Sequence, residues 1–425
     1  MDNIIDELEA RGFIDALTNK DEVRKQCEQP SHVYIGFDPT ADSLHLGNLV
    51  GIIALAWFQR AGHTPVALMG GATGKIGDPS GKSVERPLLT YEELQNNVDS
   101  ISKQFQQCLD FSGSLPKPLI LNNDDWLSKC SLIDFLRDIG KHYRMGPMLS
   151  KESVKVRIQS EEGMSFTEFT YQIMQGYDFY HLNKDFDITI QMGGSDQWGN
   201  IVSGIELTRK LVQKEVFGVT FPLLTRSDGK KFGKSEGGAI WLSKHKCSPY
   251  KFYQYLYRIA DADIIRMLKM LTFLPIDEIN TMEKELSEGV LPPNSLQKRL
   301  AQEVTRFVHG DDGLKSAEKV TSALAPGSDT SIDVEIIESI FDEMPNAELS
   351  SSDVIDKTYA DVASAAGLFQ SKGEATRMVK NGGAYINNQK LEETAQLITE
   401  QTLVEGKFLL LAAGKKKKMI IKISE

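Results

Sequence analysis

The chain has four cysteines, Cys27, Cys108, Cys130 and Cys247, far apart and with no Cys-x-x-Cys pair. That spacing indicates neither a zinc site nor a disulfide framework and suits a reducing cytoplasm. No apolar run approaches the roughly 20 residues that a membrane-crossing helix needs. Residues 1–17 read as an acidic amphipathic helix without the basic start and apolar centre of a secretion signal. A soluble, cytoplasmic protein with no membrane partner is expected. There is no coat of positive charge either, since the net charge is -11, which argues against a protein wrapped in nucleic acid but leaves room for local patches. From 351 to 425 there are 11 Lys and Arg against 9 Asp and Glu, so this segment is +2 and the rest is -13. The 425 residues give two or three domains and enough chain to bury a large core.

Residues 33–37 read as a strand, followed by a Pro/Asp/Ser turn and an apolar helical run from Leu49 towards Arg60. A strand, loop and helix start of this kind binds phosphate, because the first helical turn offers unpaired N–H groups and the positive end of the dipole. His45 and Asn48 are spaced to share one face of that turn. The plain alternative is a turn in which Asp42 or Ser43 caps the helix and the histidine is incidental. A second strand, 64–69, completes a βαβ start, which predicts a parallel sheet with its ligand at the carboxyl ends of the strands. Gly77–Ser83 and Gly229–Ser235 are each one residue short of a GxxxxGK[ST] phosphate loop and are rejected as such.

Further on, 91–110 reads as a polar surface helix, and 125–142 and 148–157 look helical. In the helix 166–179, Tyr171, Gln175 and Asp178 project from a single face. Residues 187–191 read as a strand of alternating exposure running into MGGSDQWGN, where consecutive glycines allow close approach to a sugar or phosphate. The alternative is a tight turn capping the next helix through Ser195 or Asp196. Lys231 and Lys234 sit in a glycine-flanked loop, spaced so that both can reach a polyphosphate. Residues 248–308 are helical in pattern, and 322–352 reads as a connector with a short acidic helix at 332–344.

Two motifs carry a family resemblance. GFDPTADSLHLG (36–47) resembles the HIGH signature of class I aminoacyl-tRNA synthetases in its tyrosyl version, and KFGKS (231–235) resembles the KMSKS signature of the same group. Asn48 departs from the pattern, which more often has a second histidine. The region 353–423 resembles the small RNA-binding module of a ribosomal small-subunit protein, through Ala366, Gly367, Leu368, the helix around 374–380, residues 382–387 and the strand 408–411. The resemblance implies an α/β fold: a Rossmann-like catalytic domain at 1–220 with a helical insertion at about 125–165, the lysine loop and helical domain at 221–325, a connector at 326–352 and an α+β RNA-binding domain at 353–425.

It also implies a tyrosine–tRNA ligase that makes tyrosyl-adenylate from tyrosine and ATP and passes tyrosine to tRNA(Tyr). In that reading His45, Thr40, Lys231 and Lys234 are catalytic and meet the phosphates, with Lys82 and Arg86 beside them. Gly36, Asp38, Gly47, Asn48, Gly194, Asp196 and Ser235 complete the ATP site. Tyr34 and Asp178 hydrogen-bond the phenol hydroxyl, Tyr171, Gln175 and Asp78 hold the ammonium group, and Gln191 and Gln197 lie beside the amino acid. Lys372, Arg377, Lys380 and Lys415, Lys416, Lys417 and Lys418 face tRNA. No protein metal site or permanent cofactor is implied, magnesium accompanying ATP. The insertion carries the contact of a homodimer, although Leu132, Ile133, Phe135, Leu136 and Ile139 would serve a core equally well. A tryptophanyl-tRNA synthetase, a non-catalytic RNA-binding relative and a small-molecule nucleotidyltransferase are the alternatives.

Overall fold

The computed structural model describes residues 3–80, 89–235, 238–325, 327–328, 332–414 and 417–424, with backbone alone at 152, 153 and 235. The chain forms two compact units, Met1–Lys246 with Leu256–Val308, and Cys247–Tyr255 with His309–Glu425.

In the first unit β1 (Ala16–Leu17), β2 (His32–Phe37), β3 (Thr64–Met69), β4 (Leu119–Asn122), β5 (Ile188–Gly194) and β6 (Phe217–Phe221) form one sheet in the order 1-6-5-2-3-4. All neighbours run parallel except β1, which is antiparallel to β6. The chain builds outwards from β2 to β3 and β4, then returns to lay β5 on the other side of β2. This reversal opens a crevice beyond the carboxyl ends of β2 and β5, the place where open α/β sheets take their ligands. The β2–β3 crossover is the Leu49–Arg60 helix, buried from Leu49 to Gln59, as its apolar sequence on every side requires.

Several elements differ from their sequence reading. The N-terminal helix covers only Ile4–Ala10; Gly12 takes a φ of 69°, and Ala16–Leu17 leaves the helix to pair with Thr220 and Val219. The alternating exposure expected of 187–191 holds from Asp187 to Ile190 and ends at Gln191, which is buried like the residues that follow it in the strand. Asp187 is the left-handed cap of the preceding helix, and β5 is buried at every position but Thr189, because a central parallel strand is covered on both faces. The helix at 91–110 spans Tyr91–Cys108 and is only half on the surface, since Leu94, Val98, Ile101 and Phe105 bury one face.

The insertion breaks into short pieces, Asp124–Leu127, Leu132–Asp134, Phe135–Ile139, Gly140–His142, Met145–Leu149 and Glu152–Ile158. Ile139 is buried and Phe135 half-buried, whereas Leu132, Ile133 and Leu136 stand in water, 71%, 69% and 48% exposed. The next helix, Phe166–Phe186, opens on a capping box of Ser165 and Glu168. Glu168 also takes both ends of the Arg157 guanidinium at 2.8 Å, so a fully buried ion pair ties the end of the insertion to this helix.

In the second unit β9 (Asn346–Ser350), β10 (Ala384–Ile386), β11 (Gln389–Lys390), β12 (Phe408–Ala413) and β13 (Lys417–Ser424) form a sheet in the order 11-10-12-13-9. Residues 346–350, read from the sequence as connector, are therefore an edge strand, parallel to β13. The Tyr359–Ala365 and Lys372–Lys380 helices cover one face, and Val320, Leu324 and the Val334–Ile340 helix cover the other. Every residue of β12 is buried between them.

Candidate active site

Tyr34 on β2 is opposite Gln191 on β5, so their side chains share one face of the sheet. Both are buried, and the Tyr34 Oη and the Gln191 Oε1 lack any hydrogen-bond partner. Phe179 packs edge-on against the Tyr34 ring at 5.3 Å, and Asp178, one residue earlier, is only 2% exposed. Burial first, then the nearby Asp178 and Tyr143, push the Tyr34 hydroxyl well above its ordinary pKa. Unpartnered polar atoms in a buried site are costly, and here two stand on one face of the sheet, Tyr34 near the Asp178 carboxylate.

Asp178 is held from behind. Its Oδ1 accepts from the Trp126 indole at 2.8 Å and its Oδ2 from the Asn123 amide at 2.9 Å. Burial raises its pKa to about 7, against the pull of those two donors. Asn123 also donates to Thr73 Oγ1, which donates to Asp38 Oδ1, while Tyr171 Oη donates to Asp38 Oδ2 at 2.9 Å. A Cβ on Gly70 would lie 2.1 Å from Asp38 Oδ1, so only glycine lets this carboxylate reach Thr73. Asp38, Asp78 and Asp178 all raise the pKa of Tyr171, after burial itself. The negative charge around this buried hydroxyl is a field in which a cation is stabilised. Gln197 Nε2 donates to Asp78 at 2.8 Å, and Asn200 donates to Gln175 Oε1 at 2.9 Å, so these four residues lie together on the same rim.

The phosphate side is built differently. His45 is half-buried and lies four residues before Leu49, the first residue of the Leu49–Arg60 helix, not in its first turn. Asn48 is the N-cap; neither Asp42 nor Ser43 is. The Asn48 Oδ1 accepts from the His45 backbone N–H at 3.1 Å, so the side chain that replaces the family's histidine braces the turn. The lysine loop docks against this turn. Phe232 is buried between exposed Lys231 and Lys234, and a Cβ on Gly233, at φ 81°, would lie 3.0 Å from the Gly47 nitrogen. Lys234–Ser235 (β7) pairs with Gly238–Ala239 (β8), and the chain then runs antiparallel to the turn, with Leu46 N–H to Ile240 O at 2.7 Å and Leu242 N–H to Leu44 O at 2.8 Å.

Thr40 and Gly36 are exposed at the mouth of the crevice, and a Cβ on Gly36 would meet nothing within 4 Å. Gly194 ends β5 and exposed Asp196 follows it, a Cβ on Gly194 falling 2.7 Å from Asp196 Oδ1. The helix after them, Trp198–Val212, begins at Gln197 and is capped by neither Ser195 nor Asp196. Lys82 and Arg86 lie outside the described residues, as does the Ser235 side chain. Beside the pocket, the 142–151 segment and the Trp198–Val212 helix enclose a cavity of about 300 Å³. Its Lys151 ammonium is buried, and desolvation lowers its pKa to about 8.

In the second unit Lys372, Arg377 and Lys380 are exposed on one helix, turned away from buried Ala375 and Val379. Lys372 is paired with Asp361 at 2.7 Å. The lysine run is not one patch. Lys417 and Lys418 are consecutive on β13 and point to opposite faces, while Lys415 and Lys416 lie outside the described residues.

Comparison with known proteins places this geometry. Residues 25–325 match the family model for tRNA synthetases class I (W and Y), and residues 336–421 match that of a tyrosine–tRNA ligase C-terminal domain. A tyrosine–tRNA ligase of Protochlamydia amoebophila is 54% identical over the full length of both chains. The chain belongs to the tyrosine–tRNA ligase family of class I synthetases. One from Escherichia coli O8 is 45% identical over 99% of this chain and 98% of its own. A C-terminally truncated mitochondrial tyrosyl-tRNA synthetase from Aspergillus nidulans superposes on 75% of this chain and 92% of its own with a TM-score of 0.67 at 32% identity. A tryptophanyl-tRNA synthetase from Plasmodium falciparum shares the synthetase fold at a TM-score of 0.55 and 14% identity.

The sequence motifs did not single out Asn123, Trp126, Thr73, Asn200 or Trp241. Asn123 and Trp126 occupy a short segment after β4 with no periodic pattern, and only their convergence on Asp178 reveals them.

Proposed function

We infer that the chain ligates tyrosine to tRNA(Tyr) in two steps. The tyrosine carboxylate attacks the α-phosphate of ATP, forming the acyl–phosphate bond as the bond to pyrophosphate breaks. A ribose hydroxyl at the tRNA 3' end then attacks the acyl carbon, and AMP leaves. The observation that carries this reading is the buried Tyr34 hydroxyl without a partner, set beside a carboxylate that Trp126 and Asn123 hold in place. A substrate phenol would accept from Tyr34 and donate to Asp178. Phenylalanine would leave the buried Tyr34 hydroxyl unpaired and the Asp178 carboxylate with Trp126 and Asn123 alone, at a cost of about 1–3 kcal/mol or more for the unpaired hydroxyl.

The ammonium group enters among Asp38, Asp78 and Tyr171, with Gln175 on the rim; Asp38, assigned by the resemblance to the ATP site, belongs to this end because its side chain bonds Tyr171 and Thr73. Gly36, Thr40, Gly47 and His45, Gly194 and Asp196 on the ribose side, and Lys231 and Lys234 above meet ATP. Little covalent chemistry is asked of the protein in the first step, so it works by placing the reactants and by matching charge as pyrophosphate departs. Magnesium enters on the nucleotide, whose phosphate oxygens ligate it.

Two copies associate through the insertion. Supporting this are large apolar side chains in water in the single chain: Leu132, Ile133, Met145, Val156 and Phe166, the last 77% exposed. So many large apolar side chains exposed within one segment are unusual on a monomer, and a second copy offers the same residues in return. The basic face of the Lys372–Lys380 helix contacts tRNA phosphates. Among the described residues no helix is long and apolar enough to cross a membrane. A cytoplasmic site of action fits cysteines that form no disulfide among the described residues.

The test is exchange of labelled pyrophosphate into ATP with tyrosine, tryptophan or phenylalanine as the driver. Tyrosine alone should sustain it. Faster exchange with tryptophan would transfer the chain to the other branch of its fold.

A further inference from the structure

The bond ladder between the histidine turn and the 240–243 segment fixes which side chain faces His45. Leu46 N–H bonds Ile240 O and Leu242 N–H bonds Leu44 O, so His45 and Trp241 form the pair between them, an antiparallel non-hydrogen-bonded pair whose side chains approach closely on one face. Their rings lie 6.2 Å apart at 54°. Trp241 is itself fixed, with the Lys246 ammonium 5.2 Å from its ring centroid and Lys246 paired to Asp42 at 2.6 Å. Ser243 N–H continues the ladder to Ser43 Oγ.

The imidazole is also fixed from the other side. Its Nδ1 accepts from the Gly47 backbone N–H at 3.1 Å. A Cβ at position 47 would lie 2.9 Å from the ring Cε1 and 3.0 Å from Nδ1, so the ring rests directly on the glycine. A backbone amide cannot act as an acceptor, and a proton on Nδ1 would face that N–H. A neutral ring bound in this way carries its proton on Nε2.

We propose that His45 meets the departing phosphates as a neutral imidazole that donates from Nε2, and that Trp241 is the positioning residue that, with Gly47, holds the ring in that tautomer and direction. The proposal rests on the ligase reading for the identity of the acceptor. A neutral donor adds no charge that ATP binding would already use up. It contributes as negative charge builds on the leaving pyrophosphate, when a fixed N–H is worth most.

Two measurements test this. The first needs no substrate: 15N spectra of histidine-labelled protein at neutral pH, with the His45 signals identified by their loss in His45→Asn, should show Nε2 protonated and Nδ1 bare. A protonated Nδ1 overturns the proposal, whatever the enzyme's activity. The second is a double-mutant cycle on pyrophosphate exchange. Trp241→Ala should lower kcat about tenfold with the KM for tyrosine unchanged, Trp241→Phe should stay within about threefold, and Gly47→Ala should cost more than either. In a His45→Gly background, itself about 10²–10³-fold impaired, Trp241→Ala should cost less than about twofold. An undiminished loss there would mean that Trp241 acts on the fold and not through His45. Absence of tyrosine-driven exchange in the native protein, with the Nε2 tautomer intact, would overturn the ligase reading alone.

Discussion

The proposed amino-acid pocket and the turn proposed to meet the phosphates lie in one unit and follow opposite rules. The pocket is dry, and its key groups stand on regular elements: Tyr34 on β2, Gln191 on β5, Asp178 on the Phe166–Phe186 helix. The turn is irregular and half in water, and its side chains are aimed by backbone bonds between two loops. Choosing between tyrosine and phenylalanine requires that a missing hydroxyl be punished, and only a desolvated site does that. Handling a polyphosphate requires donors that a large, hydrated substrate can reach and leave. Burial serves the first task and a braced open loop the second.

The largest expected effect breaks the pocket. Asp178→Ala should abolish tyrosine-driven exchange together with tyrosine binding, because it removes the acceptor for the substrate phenol and leaves the buried Trp126 indole N–H without the carboxylate it bonds. Measurable exchange at saturating tyrosine would show that the pocket is not where tyrosine binds. Next, Lys234→Ala should lower kcat by about 10²-fold while tyrosine affinity, measured by equilibrium dialysis, stays unchanged. A parallel loss of tyrosine affinity would erase the division between the two regions.

A subtler effect is read in the pH profile. With a pKa near 7 in the folded protein, Asp178 is increasingly protonated below neutrality, so tyrosine affinity should rise with pH through about 7 and then level off as the carboxylate becomes available. For stability the sign is opposite. The folded form holds its proton more tightly than the unfolded chain, so this group's contribution falls as pH rises from its ordinary range to about 7. Trp126→Phe removes a donor to the carboxylate, which should move the affinity midpoint upwards and weaken binding at pH 7 about 5–30-fold. An unmoved midpoint would mean that another group titrates. The smallest effect belongs to the turn. Asn48→His should change exchange by less than about threefold, since an imidazole nitrogen can accept the His45 N–H as Asn48 Oδ1 does, whereas Asn48→Ala should cost about 1 kcal/mol by leaving that N–H unpaired.

Much of this site was legible in the sequence. The strand 64–69 and the helix from Leu49 to Arg60 coincide with β3 and the crossover, because their apolar patterns are long and end at glycine. The face shared by Tyr171, Gln175 and Asp178 follows from helical spacing alone. What was not legible depends on partners distant in sequence. Ala16–Leu17 continues a helical pattern but is claimed by β6 some 200 residues later, and β5 loses its alternation from Gln191 onwards because both its faces are covered there. Leu132, Ile133 and Leu136 have the composition of a core and stand outside it.

By itself the sequence determined the parallel nucleotide fold and the order of its motifs, which follow from periodicity and local chemistry, while the residues proposed to meet an aromatic amino acid and a triphosphate came from the family resemblance of those motifs. Tertiary structure decided the charge state of Asp178, the donors behind it and the direction of the His45 ring. A pKa, an unpartnered hydroxyl and a tautomer are set by what is brought within about 3 Å across the fold, and such contacts join residues that no local pattern connects.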